Sequence, residues 1–563
     1  MTKSPIIECV PNFSEGRDES VIREITNEIR GYEGVQLLDV DPGKATNRTV
    51  VTFVGSPDKV IEAAFLVIKK ASELIDMSKH SGEHPRMGAT DVCPLIPIRD
   101  ISMEETAEYA AQLGKRVGEE LEIPVYLYEN AAVSPERRNL ATVRSGEYEG
   151  LADKLKDPKW KPDFGPAKFN AKSGATAIAA RDFLIAYNVN LNTTSVRRAN
   201  SVAFDIREKG RVKREGDPIK GKIARDANGD PLRDPGKCKG VKAIGWYIEE
   251  YGMAQISMNI TNTRETPLHI AFEACRESAN ARGLRVTGSE LVGLVPKQVM
   301  LDAGKFYLTR QNRSHGIPEE EIIHIAVKSM GLDDLYPFDP RKKIIEYQLE
   351  SPQSGSLASK NLYEFANETA AESVAPGGGS IAAYVGALGA SLATMVANLS
   401  SHKRGWDDKW EFFSDWAVKG EKLKEELIHL VDEDTAAFNK IIAAIRMPKG
   451  TDEEKQIRAK AIEDATKYAI EVPFKTMQLA DEVFEVAEIM IEKGNPTSVT
   501  DAGVGALCAR AASVAAYMNV LVNCKDLDDK AYVEKISKKA SQLKERALKK
   551  EANLTDKVLE KIS

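Results

Sequence analysis

The sequence predicts a multi-domain protein, mixed α/β through residue 348 and all-α beyond it. Three observations predict this. The chain has 563 residues, 42% hydrophobic and 29% charged, too long for one core and apolar enough to build several compact units. Its first part alternates short β-branched runs with helix-length patterns, which implies sheets covered by helices. After a polar stretch rich in Ser, Gly and Pro the strand signals stop, and the rest of the chain has helical periodicity to its end.

The strands of the first part are expected at Ile6–Val10, Val35–Val40 and Thr49–Val54, with helices at Glu19–Arg30 and Pro57–Leu74 between and after them. A second α/β stretch begins near Phe183 with LIAYNVNL. It continues with IGWYIEEYGMAQISMNI, whose two alternating runs around Glu249–Gly252 read as a hairpin, and then with a helix through TPLHIAFEACRESANARG. Within it, Asp205–Lys242 holds six glycines, three prolines and 12 Lys/Arg against 7 Asp/Glu. This is expected to be a long surface loop, and two readings of it stand: a solvated insertion, or a basic flap over an anionic ligand. The main boundary falls at Leu349–Ser359. Beyond it helices are expected at Trp416–Met447, Asp452–Lys467, Val472–Glu492, Ser498–Val522 and Lys530–Leu559.

Charge and cysteine usage narrow the function. A net charge of −7 and a pI near 5.8 give no overall basic field, so small molecules rather than nucleic acid are the expected partners. The six cysteines are scattered, with no CxxC pair, and read as reduced core thiols. The N-terminal MTKSPIIECVPNFSEG lacks the apolar stretch of a secretory signal, so the cytoplasm is the expected address. Ser373–His402 carries no charge and is long enough to suggest a membrane span. Its Ala, Gly, Ser and Val content gains little from lipid and favours close helix packing, so a buried bundle helix is expected and no membrane partner.

The most informative segment is MSKHSGEHPRMGATDVCPLIPI, residues 77–98. Among only seven histidines in the chain, His80 and His84 lie four apart beside Glu83, Arg86 and Asp91. Pro85 disfavours helical geometry at His84, so the helix that an HExxH metal site needs is blocked and no metal is expected. General acid–base work is the functional reading; a loop histidine that only binds a backbone carbonyl is the structural one.

GEHPRMG, with ECVPNFSEG at the start, LLDVD at Leu37–Asp41 and TNRTV at Thr46–Val50, resembles the formiminotransferase domain of the formiminotransferase-cyclodeaminase family. The resemblance implies a transferase of two ferredoxin-like lobes, residues 1–182 and 183–348, with folate in the cleft between them. It implies His84 as the catalytic histidine and Asp41 as its carboxylate partner. The chemistry suits them: N5 of tetrahydrofolate must lose a proton as it attacks the formimino carbon, and a neutral imidazole held by a carboxylate can take it. The family's folate-binding stretch matches Gly165, Pro166, Ala167, Lys168, Phe169, Asn170, Ala171, Lys172, Ser173 and Gly174, with a further contact at Gly236, just after the charged insertion. Small residues there let the backbone approach a flat pterin.

Past the linker at 349–359, the helical domain 360–563 has its own signature, SVAPGGGSIAAYVGALGA at 373–390. Three glycines before a helix, with Ser380 as the expected N-cap, present backbone N–H groups at the positive end of the helix dipole. No Lys-Ser/Thr comes after them, so this is not a Walker loop. Together with the run Asp432, Glu433, Asp434, Thr435, Ala436, Ala437, Phe438, it resembles the cyclodeaminases and the related methenyltetrahydrofolate cyclohydrolases. The resemblance implies Asp434 as catalytic, and Asp501 and Asn519 also match the pattern without a defined role. It further implies tetrahydrofolate as co-substrate, with or without a polyglutamate tail, N-formimino-L-glutamate as donor, a place in histidine degradation, and a homo-oligomer. Two other readings stay open for the helical domain: a cyclohydrolase, or a module that only binds folate and oligomerises.

Overall fold

The computed structural model describes residues 5–43, 47–82, 85–217, 220–349, 356–373, 375–525 and 527–563. Two compact units divide the chain, one of residues 1–299 with 330–349 and one of residues 300–329 with 350–563.

Among the described residues the first unit contains two large sheets, each with an antiparallel core, and one two-stranded hairpin. In the first sheet, β1 (Ile6–Cys9) and β2 (Asn12–Phe13) are successive halves of one interrupted line between β4 (Arg48–Gly55) and β5 (Thr90–Arg99), and β3 (Val35–Gly43) pairs with β4 on the outer side. Two further strands, β6 (Val125–Glu129) and β7 (Thr176–Ala180), extend the sheet in parallel with β5. Side chains alternate across such a strand. Ile7, Cys9, Val51, Phe53, Cys93 and Leu95 therefore point one way, into a core roofed by α1 (Glu19–Arg30), α2 (Pro57–Leu74) and α3 (Met103–Glu120). The helices start where capping dictates: Asp18 accepts from the N–H groups of Ser20 and Val21, and Ser102 with Glu105 forms a reciprocal capping box. Glu8, Val10, Asn12, Val50, Thr52, Val92 and Pro94 occupy the opposite face, part of which, at Val92, packs with Val143 and Leu151 of two short helices, Leu140–Val143 and Leu151–Lys154.

The second sheet is built from β8 (Ile185–Leu191), α4 (Val196–Ile206), β11 (Val241–Ile248), β12 (Met253–Ile260), α5 (Leu268–Asn280) and β13 (Val286–Val292), in the spatial order β11-β12-β8-β13. The hairpin β11–β12 turns at 249–252, as the alternation predicts. The stretch 205–242 departs from the expected loop. It begins inside α4, ends inside β11, and holds a small hairpin of β9 (Arg211–Val212) and β10 (Arg233–Asp234) extended by Lys213 N–H to Leu232 O and Glu215 N–H to Lys222 O. Most of its charges face water while its main chain pairs with itself, which composition alone does not reveal.

In the second unit, residues 300–329 comprise most of α6 (Lys297–Arg310) and nearly all of α7 (Glu319–Met330). They are fastened to the bundle by His315 N–H to Ser414 Oγ, 3.0 Å, and Asn398 Nδ2 to Gly316 O, 2.7 Å. After α8 (Leu362–Ala370) come the long helices α9 (Gly378–Ser401), α10 (Trp410–Ile445), α11 (Asp452–Lys493), α12 (Val499–Cys524) and α13 (Lys530–Ile562). Helix α9, the uncharged segment, packs against α10, α11 and α12. Its small residues permit this. A Cβ on Gly389 would lie 2.8 Å from the carbonyl of Gly505, so α9 and α12 meet backbone to backbone.

The two helices expected at 452–467 and 472–492 are one, running through the buried Pro473. Proline lacks the N–H that would bond the carbonyl four residues back. That carbonyl, of Ala469, is instead bonded by Asn523 Nδ2 at 2.7 Å, so no buried acceptor is orphaned and packing on both sides carries the helix across.

Candidate active sites

The face of the first sheet that carries Glu8 and one end of the second sheet enclose a cavity of about 440 Å³. From the first lobe come Glu8, Asn12, Asp39, Asp41, Arg48, Tyr128, Arg144 and Arg181; from the second come Lys242, Asn259, Val292 and Leu294. Both signs of charge line it, which suits a ligand that itself carries both signs. Asp91 is the buried hub of the wall. It accepts from Arg48 Nη1 at 3.2 Å, from Arg144 Nη1 at 2.8 Å and from Met87 N–H at 3.0 Å. Removing it would leave two half-desolvated guanidiniums without their counter-charge, a loss of about 3–5 kcal/mol.

Asp41, on β3 opposite Val50, reaches the cavity from its exposed edge. Beside it, burial and the Asp41 charge raise the Asp39 carboxyl above the ordinary range. His84 and Glu83 lie outside the described residues. The carbonyl of Pro85 accepts from Arg144 Nη1 at 3.0 Å, so the same arginine that binds Asp91 ties this point of the loop to the cavity wall.

His80 is already committed. Its Nε2 faces Asn47 O at 2.9 Å, and Arg86 Nε donates to its Nδ1 at 3.3 Å, which puts the ring proton on Nε2. With both nitrogens occupied, it serves the loop rather than the cavity.

The stretch Gly165–Gly174 is brought against the same loop but does not line the cavity. Ser173 O accepts from Ala89 N–H, Met87 O from Ala175 N–H, and Tyr148 packs tilted against Phe169, ring centroids 5.5 Å apart, while its hydroxyl donates to Ala171 O. Gly174 has φ +67°, and a Cβ there would lie 2.1 Å from Met87 O, so only glycine fits. Gly236 is apart from this group, packed under the carbonyl of Arg207 at the base of the charged insertion.

The second unit has its own cavity of about 160 Å³, lined by Gly377, Gly378, Gly379, Asp434, Thr435, Phe438, Asn519 and Asn523 among others. The N-cap of α9 is Gly377 rather than Ser380. Ser380 lies in the first turn and turns its donors on Asp434, whose Oδ2 accepts from Ser380 N–H at 2.9 Å and from Ser380 Oγ at 3.0 Å. Asp434 thus sits at the positive end of the α9 dipole. Burial raises its pKa, and the two Ser380 bonds oppose the rise. Its neighbours on α10 do other work: Asp432 accepts from Leu357 N–H at 2.6 Å, and Glu433 accepts from the hydroxyl of Tyr468.

A Cβ on Gly379 would stand 2.1 Å from Asp434 Oδ1. Gly379→Ala is therefore expected to push the carboxylate off its Ser380 anchors, lowering the activity of this cavity at least tenfold while the first is untouched; separate assays of the two reactions check this.

Asn519 faces this glycine loop, 3.3 Å from the place of a Cβ on Gly378. Asp501 does not join it. The two residues are separated by eighteen residues of α12, about 27 Å of helix. Asn523, not singled out in the sequence, is fixed in the cavity wall by the carbonyl that Pro473 leaves free.

Comparison with known proteins agrees with this division. Family models described as the N-terminal subdomain of the formiminotransferase domain, the formiminotransferase domain and formiminotransferase-cyclodeaminase match residues 6–181, 186–350 and 361–542. The mouse formimidoyltransferase-cyclodeaminase is 43% identical over 97% of this chain and 97% of its own length. The chain belongs to the formiminotransferase-cyclodeaminase family. A glutamate formimidoyltransferase of Thermoplasma acidophilum is 45% identical, covering 54% of this chain and 92% of its own. A methenyltetrahydrofolate cyclohydrolase of Methylorubrum extorquens is 39% identical over 31% of this chain and 85% of its own. The first cavity draws its walls from the two stretches matched by formiminotransferase models, and the second lies wholly inside the stretch matched by the formiminotransferase-cyclodeaminase model.

Proposed function

We propose that the chain transfers the formimino group of N-formimino-L-glutamate to N5 of tetrahydrofolate, giving L-glutamate and 5-formiminotetrahydrofolate, and then closes this to 5,10-methenyltetrahydrofolate with release of ammonia. The observation that carries the reading is the pair of separate cavities, each with its own carboxylates, in two units whose relatives are named for transfer alone and for folate ring chemistry. For the transfer His84 takes the N5 proton, with Asp41 as its partner, and in the first cavity Arg48, Arg144, Arg181 and Lys242 receive the carboxylates of the donor. The folate lies in the cleft between the lobes, its pterin end toward Gly165–Gly174. Both lobes are ferredoxin-like, supported by the β-α-β-β-α-β order that each adopts. In the second cavity Asp434 removes the N10 proton and returns one to the departing nitrogen, a double duty suited to a carboxyl of raised pKa.

Mixing the purified protein with both substrates tests the reading. Formation of 5,10-methenyltetrahydrofolate with one ammonia per glutamate supports it; glutamate without ammonia would reduce it to the transferase half. The cyclohydrolase relative favours one second reading, that the helical unit acts on methenyltetrahydrofolate. Offering this unit's substrate as 5-formiminotetrahydrofolate or as the methenyl compound separates the two.

The protein acts as a cytoplasmic homo-oligomer in this proposal. Its six cysteines are unpaired, in keeping with a reducing compartment. Helices α9 and α12 carry parallel apolar stripes on their outer sides, at steps of four and three: Ile381, Val385, Leu388, Leu392, Met395, Leu399, and Val504, Leu507, Ala511, Val514, Met518, Leu521. Leu399 is 47% exposed and Met518 62%. An uncharged seven-residue repeat on two adjacent helices is its own complement, so a second copy is the fitting occupant. Leu388→Glu combined with Met518→Glu is expected to lower the mass measured by light scattering; an unchanged mass would remove this face from the assembly.

A further inference from the structure

Glu8 lies on the floor of the first cavity, in the middle of β1, with Val54 and Ile96 as its cross-strand partners. Strand alternation turns it away from Ile7 and Cys9, which face the helices, and toward the cavity that it lines. It is 2% exposed, and the groups that act on its carboxyl among the described residues, Arg181 and Glu346, do so through charge and not through a hydrogen bond. A buried carboxyl without a hydrogen-bond donor is costly to keep, and this one is placed against the substrate space.

The charges around it are mixed. Arg181 favours its ionised form and Glu346 opposes it, while Asp39, Asp41, Arg48, Arg144, Lys242 and Tyr128 complete the titratable lining of the cavity. Burial outweighs Arg181 and pushes Glu8 up to about 7, so both of its protonation states are populated near neutrality.

Formimino transfer needs an acid as well as a base. As N5 bonds to the formimino carbon, its proton goes to the base. As the bond from that carbon to the glutamate nitrogen breaks, the nitrogen keeps the electron pair and must receive a proton, since an amide anion is far too basic to leave. Arginine does not give up its proton, and burial pushes Tyr128 up to about 12, which makes it a poor donor at neutral pH. We propose that Glu8 is the catalytic acid that protonates the departing glutamate nitrogen. The Glu8 carboxylate then regains a proton equivalent to the one taken from N5, so each turnover moves one proton from N5 to glutamate and leaves the protein unchanged. This assignment rests on the transfer reaction proposed above.

The test compares the full-length protein with Glu8→Gln and Glu8→Asp, using formiminoglutamate and tetrahydrofolate from pH 5.5 to 9. Glu8→Gln is expected to lower kcat for transfer by roughly 10²–10⁴-fold with little change in KM, and Glu8→Asp to recover part of the loss. The parental kcat/KM should fall as pH rises through about 7, where the acid loses its proton, and the residual activity of Glu8→Gln should lack that limb. A role confined to structure would not move the pH profile. Thermal unfolding supplies a second readout. The folded pKa lies above the ordinary 4.5, so the ionised carboxyl destabilises the fold above pH 7 and the difference vanishes below 4.5. Glu8→Gln should therefore melt higher than the parent at pH 8 and equally at pH 4. Transfer within about threefold of the parental rate, or an unchanged alkaline limb in the variant, overturns the assignment. Absence of any transfer by the parental protein would instead overturn the reaction itself, and the acid with it.

Discussion

Asp434→Asn is expected to stop the second reaction and spare the first: cyclisation falls by roughly 10²–10⁴-fold while 5-formiminotetrahydrofolate accumulates at the parental rate of transfer. Asparagine keeps the shape and retains an oxygen to accept from Ser380 N–H and Oγ, so the α9–α10 contact survives. The loss is confined to the ionisable oxygen in the cavity. Burial places the parental carboxyl above the ordinary range, and the base form is populated only above that raised pKa. Cyclisation should accordingly lose rate on acidification at a higher pH than an exposed aspartate would give. Following ammonia and the intermediate separately checks the result. Equal loss of both activities in a protein of normal melting behaviour would count against two independent sites, and undiminished cyclisation would remove Asp434 from the chemistry.

His84→Ala is expected to have the reverse signature, lowering transfer by roughly a hundredfold or more and leaving cyclisation of supplied 5-formiminotetrahydrofolate intact. The structure sharpens the meaning of a failure. His80, the obvious understudy from the sequence, has both ring nitrogens engaged, by Asn47 O and by Arg86 Nε. Parental transfer by His84→Ala would direct the search to the carboxylates of the cavity, Asp41 and Asp39, before His80. Rapid-quench measurement of glutamate release reads transfer directly, without depending on the second unit.

The architecture was legible where a pattern has one cause. Alternation at 244–260 gives a hairpin, and the helix Pro57–Leu74 has the bounds that its N-terminal proline and apolar periodicity imply. The uncharged segment 373–402 could be assigned to a bundle because its residues are small. Where two causes compete, sequence was a poorer guide. Proline inside a helical pattern usually marks an end, but Asn523, fifty residues away, supplies the missing partner for Ala469 O, and local reading has no access to that. The charged insertion hid its hairpin because main-chain pairing leaves no trace in composition.

The sites divide in the same way. Asp41 and Asp434 were accessible through motifs, and both line cavities. Asp91, Arg48 and Arg144 act through one buried ion network assembled from β4, β5 and the loop after β6, and their partnership exists only once the sheet is formed. Glu8 was in view within ECVPNFSEG, but nothing in so short a run of letters says that its carboxyl is buried.

Pro473 bears on how this protein can be altered. A helix-interior proline is among the first positions a stabilisation campaign would change, since alanine there restores an amide donor and is worth up to about 3 kcal/mol of helix propensity. Here the restored donor would reclaim Ala469 O and release Asn523 from the wall of the second cavity. The substitution that makes the helix more regular is thus the one that loosens the site, and robustness and turnover are set against each other at a residue that never meets a substrate.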